Sequence, residues 1–125
     1  METTVLVVDD DPSIVQLLKE DLTQEGYKVL SGYDGQAALQ LAKSAKPNLI
    51  IMDINMPMIN GLKALEYLRG MPDTKNIPIL FLSGEASSNV IPKLEAAHRV
   101  AHVKKPIDLD DLNSLVRQFI EKYPV

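Results

Sequence analysis

The chain has 125 residues, 46% hydrophobic and 24% charged, with a net charge of −4 and no cysteine. That length suits one domain, long enough to bury roughly two-thirds of its unfolded surface. The acidic balance, without any Lys/Arg run, argues against a direct nucleic-acid or anionic-membrane surface; the lack of thiols excludes a disulfide framework and a thiolate metal site. Met1-Glu2-Thr3-Thr4 has no basic segment leading an apolar one, and every apolar run falls short of a membrane span. A cytoplasmic protein with no membrane partner is the expectation.

In chain order, Thr4 to Val8 is β-branched and predicts a buried first strand ending at Asp9-Asp10-Asp11-Pro12. Asp11 suits a helix N-cap and Pro12 the first helical position; Ile14, Val15, Leu18 and Leu22 then share one face before Gly26. Tyr27 to Leu30 predicts a second strand. Asp34-Gly35 opens a second helix with Ala38, Leu39 and Ala42 inward, and Lys46-Pro47 ends it. A third strand runs from Leu49 to Asp53, and Asn60-Gly61 opens a third helix carrying Leu62, Leu65 and Leu68. Ile77 to Leu82 predicts a fourth strand, stopping at Ser83-Gly84-Glu85.

Ser87, Ser88 and Asn89 compete to cap the fourth helix, and Pro92 is tolerable only in its first turn. A short helix starting late, at Asn89, is expected. Val100 to Val103 makes a brief fifth strand before Lys104-Lys105-Pro106. Leu112, Leu115, Val116, Phe119 and Ile120 fall at helical spacing in the last element. Strands alternating with helices give an α/β fold, a single doubly wound (βα)5 domain over residues 1–125 with helices on both faces of a parallel sheet.

Within that frame Leu49-Ile50-Ile51-Met52 runs without interruption into Asp53, between Pro47 and Pro57. Such a run reads as a strand buried on both faces. Ligands of open α/β sheets bind beyond the carboxyl ends of the strands, so Asp53 is a site residue by position. The loops after strands one, three, four and five bring Asp9, Asp10, Asp53, Ser83 and Lys105 to the same edge. Carboxylates so crowded repel by a few kcal/mol per close pair at an effective dielectric of about 20. A hard cation relieves that cost, and oxygen ligands without His or Cys suit Mg²⁺. The chain has no Gly-rich nucleotide cradle, but a carboxylate can itself accept a phosphoryl group, with a metal, a lysine and a hydroxyl steadying the charge.

The pieces Val7-Val8-Asp9-Asp10-Asp11-Pro12, Met52-Asp53-Ile54-Asn55-Met56-Pro57, Asn60-Gly61, Leu82-Ser83-Gly84 and Lys105-Pro106 are each weak signals. In this order, on strand ends, they are specific. From end to end the chain resembles the CheY-like response-regulator receiver domains of two-component signalling. The resemblance implies a flavodoxin-like five-stranded parallel sheet in the order 2-1-3-4-5. It also implies that Asp53 accepts a phosphoryl group from a sensor histidine kinase or phosphotransfer protein. Asp10, Asp53 and the Asn55 carbonyl would then ligate Mg²⁺, with Asp9 acting through water. Ser83, beside Gly84, would be the switch hydroxyl and Lys105 the phosphoryl partner, with a cis bond before Pro106. Asn55 and Glu85 would tune dephosphorylation. Output would pass through the face of the fourth helix, fifth strand and fifth helix to a downstream domain or protein, with room for a homodimer. The domain would catalyse only its own phosphorylation and dephosphorylation, as a signalling phosphoacceptor and not an enzyme acting on other substrates.

Some positions depart from the family pattern. His102 stands where a switch Tyr or Phe is usual, His98-Arg99 replaces a small pair often reading Gly-Ala, Lys104 adds a second cation and Ile107 replaces a frequent Phe. None of them touches the acidic pocket. His98 and His102 lack the third ligand that a zinc site needs. Asp11 reads as a cap, Lys104 as a solvated strand-end charge, and Met52, Met56 and Met58 as packing and turn. A degenerate receiver that binds a partner without phosphorylation is the alternative. A haloacid-dehalogenase-like phosphatase fits poorly, since Asn55 occupies the place of that family's second Asp.

Overall fold

A computed structural model of the protein describes residues 2–84 and 90–124. Strands and helices alternate: β1 (Thr4–Val8), α1 (Pro12–Gln24), β2 (Lys28–Gly32), α2 (Gly35–Ala45), β3 (Leu49–Asp53), α3 (Gly61–Arg69), β4 (Ile79–Ser83), α4 (Ile91–Glu95), β5 (Val100–Lys104) and α5 (Leu109–Lys122). The strands pair in parallel in the order β2-β1-β3-β4-β5, as the family resemblance implies.

Side chains alternate across each strand. Leu6, Val8, Ile50, Met52, Ile79 and Phe81 pack with α2, α3 and α4, whereas Val5, Val7, Leu49, Ile51, Leu80 and Leu82 pack with α1 and α5. All twelve are fully buried, each contributing about 1.5–3 kcal/mol. β1, β3 and β4 therefore form the rigid centre, and the site is mounted on their carboxyl ends.

Three helix caps are the ones the sequence proposes, and Asp108, not read from it, caps α5 in the same way. Asp11, Asp34, Asn60 and Asp108 each accept a backbone N–H from the first turn of α1, α2, α3 and α5, worth about 1 kcal/mol apiece. Strand boundaries differ from the sequence expectation, because register decides them. β2 spans Lys28–Gly32, shifted from Tyr27–Leu30: the Tyr27 N–H is taken by the Leu22 carbonyl of α1, and pairing carries the strand on to Gly32 opposite Val8. β4 begins at Ile79, since the Ile77 N–H bonds back to Thr74. β4 and β5 run on to Ser83 and Lys104, which pair with each other.

α4 is short, with Pro92 in its first turn as expected, but Val90 is its N-cap and offers no side-chain acceptor. Ser87, Ser88 and Asn89, the expected caps, lie outside the described residues. No helix among the described residues is long and apolar enough to cross a membrane.

Candidate functional site

Asp9 follows β1, and its N–H bonds the Gly32 carbonyl at 3.3 Å. The side chain is wholly buried: Oδ1 accepts the Asp11 N–H at 2.9 Å and Oδ2 accepts Lys105 Nζ at 3.1 Å. Asp53 closes β3 with only 4% of its surface exposed, and its Oδ1 lies 3.5 Å from the same Nζ. One ammonium thus stands between two buried carboxylates. Asp10 is exposed at the mouth, and ligand atoms of Asp9, Asp10 and Asp53 lie within 4.8 Å of one another.

Burial lifts the Asp53 carboxyl above the usual range, and the charge on Asp9 lifts it further; Lys105 and the Asn55 N–H pull the other way. Asp9 is likewise raised, chiefly by burial, against the Asp11 N–H and Lys105. For Lys105, burial disfavours the cation, but the hydrogen bond and charge of Asp9 and the charge of Asp53 outweigh it, and its pKa rises. The site therefore holds more negative charge than its lysine neutralises. Its donors are oxygens only, gathered at a spacing a single divalent ion can draw in, so the residues fit Mg²⁺.

Ser83 is fully buried at the end of β4, and its hydroxyl donates to the Val103 carbonyl at 3.3 Å, long for such a bond. Gly84 follows, and no atom of the described residues beyond its chain neighbours comes within 4 Å of where a Cβ would stand. The Lys105 N–H bonds the Ser83 carbonyl at 2.7 Å, and the Lys105–Pro106 peptide is cis, as the resemblance implies. Asn55 is exposed on the β3–α3 loop. His102 is half-buried in β5, opposite Phe81 and on the same face as Ser83, level with Met52 and two strands across from β3. Glu85 lies outside the described residues.

Sequence reasoning missed the role of Gly61. A Cβ there would stand 2.8 Å from Ile54 Cα and 2.9 Å from the Phe81 ring, so only glycine lets α3 begin against the backbone that carries Asp53. The Asn60-Gly61 pair read only as a helix start.

A lysine between two buried aspartates at the carboxyl edge of a 2-1-3-4-5 sheet makes this a doubly wound α/β domain with an acidic site at its strand ends. The chain belongs to the response regulator receiver domain family, whose sequence profile matches residues 5–117. It is a receiver of two-component systems, a signalling domain. It is 37% identical to the transcriptional regulatory protein YrkP of Bacillus subtilis, over all of this chain and 52% of that protein. It is 32% identical to the response regulator ArlR of Staphylococcus aureus, over 98% of this chain and 54% of that one. The chain thus spans about half the length of these relatives. Among solved structures, the chemotaxis response regulator CheY4 of Vibrio cholerae superposes with a TM-score of 0.86 at 31% identity, covering 95% of this chain and 99% of that one.

Proposed function

We propose that residues 1–125 act as a phosphorylation switch in which Asp53 takes a phosphoryl group from the phosphohistidine of a sensor kinase or phosphotransfer protein. An Asp53 carboxylate oxygen attacks phosphorus in line; the O–P bond forms, the P–N bond breaks and its electron pair leaves with the imidazole nitrogen. The observation that carries this reading is Asp53 itself, nearly buried at the end of β3 with the Lys105 ammonium 3.5 Å away. Lys105 then follows the charge onto the phosphoryl oxygens while keeping Asp9 neutralised. Ser83 gives up a long, weak bond to Val103 to donate to the same oxygens. Mg²⁺, held by Asp10, Asp53 and the Asn55 carbonyl with Asp9 acting through water, would supply the remaining positive charge.

Movement of Ser83 on its face of β4 frees space beside His102, and α4–β5–α5 becomes the output surface for a downstream domain or protein in the cytoplasm. Asn55 and Glu85 flank the path of the hydrolytic water in this reading. Acetyl phosphate with Mg²⁺ should add one phosphoryl group to the intact mass, Asp53→Ala should abolish the addition, and Asn55→Lys should change its decay several-fold. An unchanged mass with a competent donor would favour a binding module that works without phosphorylation.

A further inference from the structure

Gly35 is the first residue of α2 and is buried against the β3–α3 loop. Its φ lies outside the left-handed region, so the position does not need glycine's backbone freedom. What it needs is space. A Cβ at Gly35 would stand 2.5 Å from the Ile59 carbonyl oxygen, 2.7 Å from Ile59 Cβ and 2.9 Å from Ile59 Cγ2. The nearest of these atoms is backbone, so a side chain at residue 35 must displace either α2 or the loop.

α2 is the firmer of the two. Asp34 accepts the Ala37 N–H at 2.8 Å, and Ala38 and Ala42 are fully buried under the sheet. The loop has little slack of its own. The Ile59 N–H closes onto the Pro57 carbonyl at 2.8 Å, Met58 is held at a φ of 67°, and Gly61 bonds back to the Ile54 carbonyl at 2.7 Å. Asn55 lies within this closed segment, and its N–H bonds the Asp53 carboxylate. A push at Ile59 therefore passes through a short loop, closed on itself between Ile54 and Gly61, to the residue beside the phosphoacceptor.

We infer that Gly35 is a positioning residue for the metal-binding loop: its missing side chain seats Ile59 and so aims Asn55 at the site. This rests on the phosphoacceptor reading above, and it assigns a role in that chemistry to the β2–α2 turn, which contributes no ligand. The cleft bounded by Asp34, Gly35, Gln36, Pro57, Met58 and Ile59 marks the same junction from outside.

The test is Mg²⁺ affinity, read from Mg²⁺-dependent amide shifts and from the rise in Tm, on wild type, Gly35→Ala, Ile59→Ala and Gln40→Gly. Ile59→Ala loosens the contact from the loop side, and Gln40→Gly weakens α2 without touching it. Gly35→Ala and Ile59→Ala should each weaken Mg²⁺ by about tenfold, with phosphorylation of Asp53 regained at high Mg²⁺. Gln40→Gly should lower Tm and keep wild-type affinity. If Gly35→Ala does not fold, Ile59→Ala decides. Wild-type affinity in the folded contact variants, or an equal loss in Gln40→Gly, would overturn the inference. A wild type with no Mg²⁺ response would bring down the phosphoacceptor reading, and the inference with it.

Discussion

At Asp9 and Asp53 the fold buries carboxyl groups, wholly at Asp9 and nearly so at Asp53. Both carboxyls have pKa values above the usual carboxylate range, with burial the leading cause. A carboxyl that binds its proton more tightly in the native state than in the unfolded chain stabilises the fold while protonated. That stabilisation is lost as pH rises through the raised value. In EDTA, Tm should therefore rise as pH is lowered from neutrality toward the ordinary carboxylate range, and Asp53→Asn should shrink the rise. Mg²⁺ needs the ionised carboxylates, so its benefit should grow with pH. At ten times Kd it should reach about 1.4 kcal/mol, or about 4–6 °C. Calorimetry across that range checks both signs; a Tm falling with acid in EDTA for wild type but not Asp53→Asn would contradict them. Asp53 was legible as a site residue because an apolar run ends on it between prolines. Lys105 was legible as a member of the same edge through the strand order, although it lies 96 residues from Asp9; its hydrogen bond to Asp9 was not, since side-chain geometry decides it.

Among the elements, the helix starts were the most legible, because an Asx cap is a local event that its own side chain decides. Strand ends were less so, since a partner strand sets them. Least legible was the turn from α4 into β5. Arg99 takes a left-handed φ of 57° there, at a cost of about 1–2 kcal/mol. Its side chain offsets this by bonding the Asn76 carbonyl at 3.1 Å and His98 Nε2 at 3.0 Å, and by lying 4.9 Å from the Tyr123 ring centroid. From the end of α3, Arg69 grips the Ile77 and His98 carbonyls at 2.8 Å each. Hydrogen bonds from a charged donor are worth about 1.5–3 kcal/mol, and one ammonium cannot span both acceptors as a guanidinium fork does. Arg69→Ala should cost about 2–3 kcal/mol, with Arg69→Lys recovering less than half. Urea midpoints at constant slope measure this; full recovery by lysine would show that charge alone matters.

Across the whole molecule, stability is graded along the sheet. β1, β3 and β4 are almost wholly buried, whereas β5 is half-buried and α4 is five residues long with no side-chain cap. Amides of β3 and β4 should exchange with solvent only through global unfolding, and those of α4 and β5 faster, through local opening. Beryllofluoride, standing in for the phosphoryl group, should alter exchange in α4, β5 and α5 and leave β2 and α2 as they were. Protection in α4 equal to that in β3, or a change spread evenly over the sheet, would remove the basis for an output face there. This gradient was readable in part, from the continuous apolar runs of the central strands and the proline early in the fourth helix.

The strand order that places β1, β3 and β4 at the centre leaves β2 and β5 each with a neighbour on one side only. Their outer edges carry backbone donors and acceptors that no other strand of this sheet takes up, a template onto which a foreign chain could add. Both strands are five residues long, and each has an exposed lysine at one end, Lys28 on β2 and Lys104 on β5. Brevity and a hydrated charge both disfavour edge-to-edge growth. On this view Lys104, a departure of no evident use to the chemistry beside it, helps to keep one molecule from polymerising onto the next.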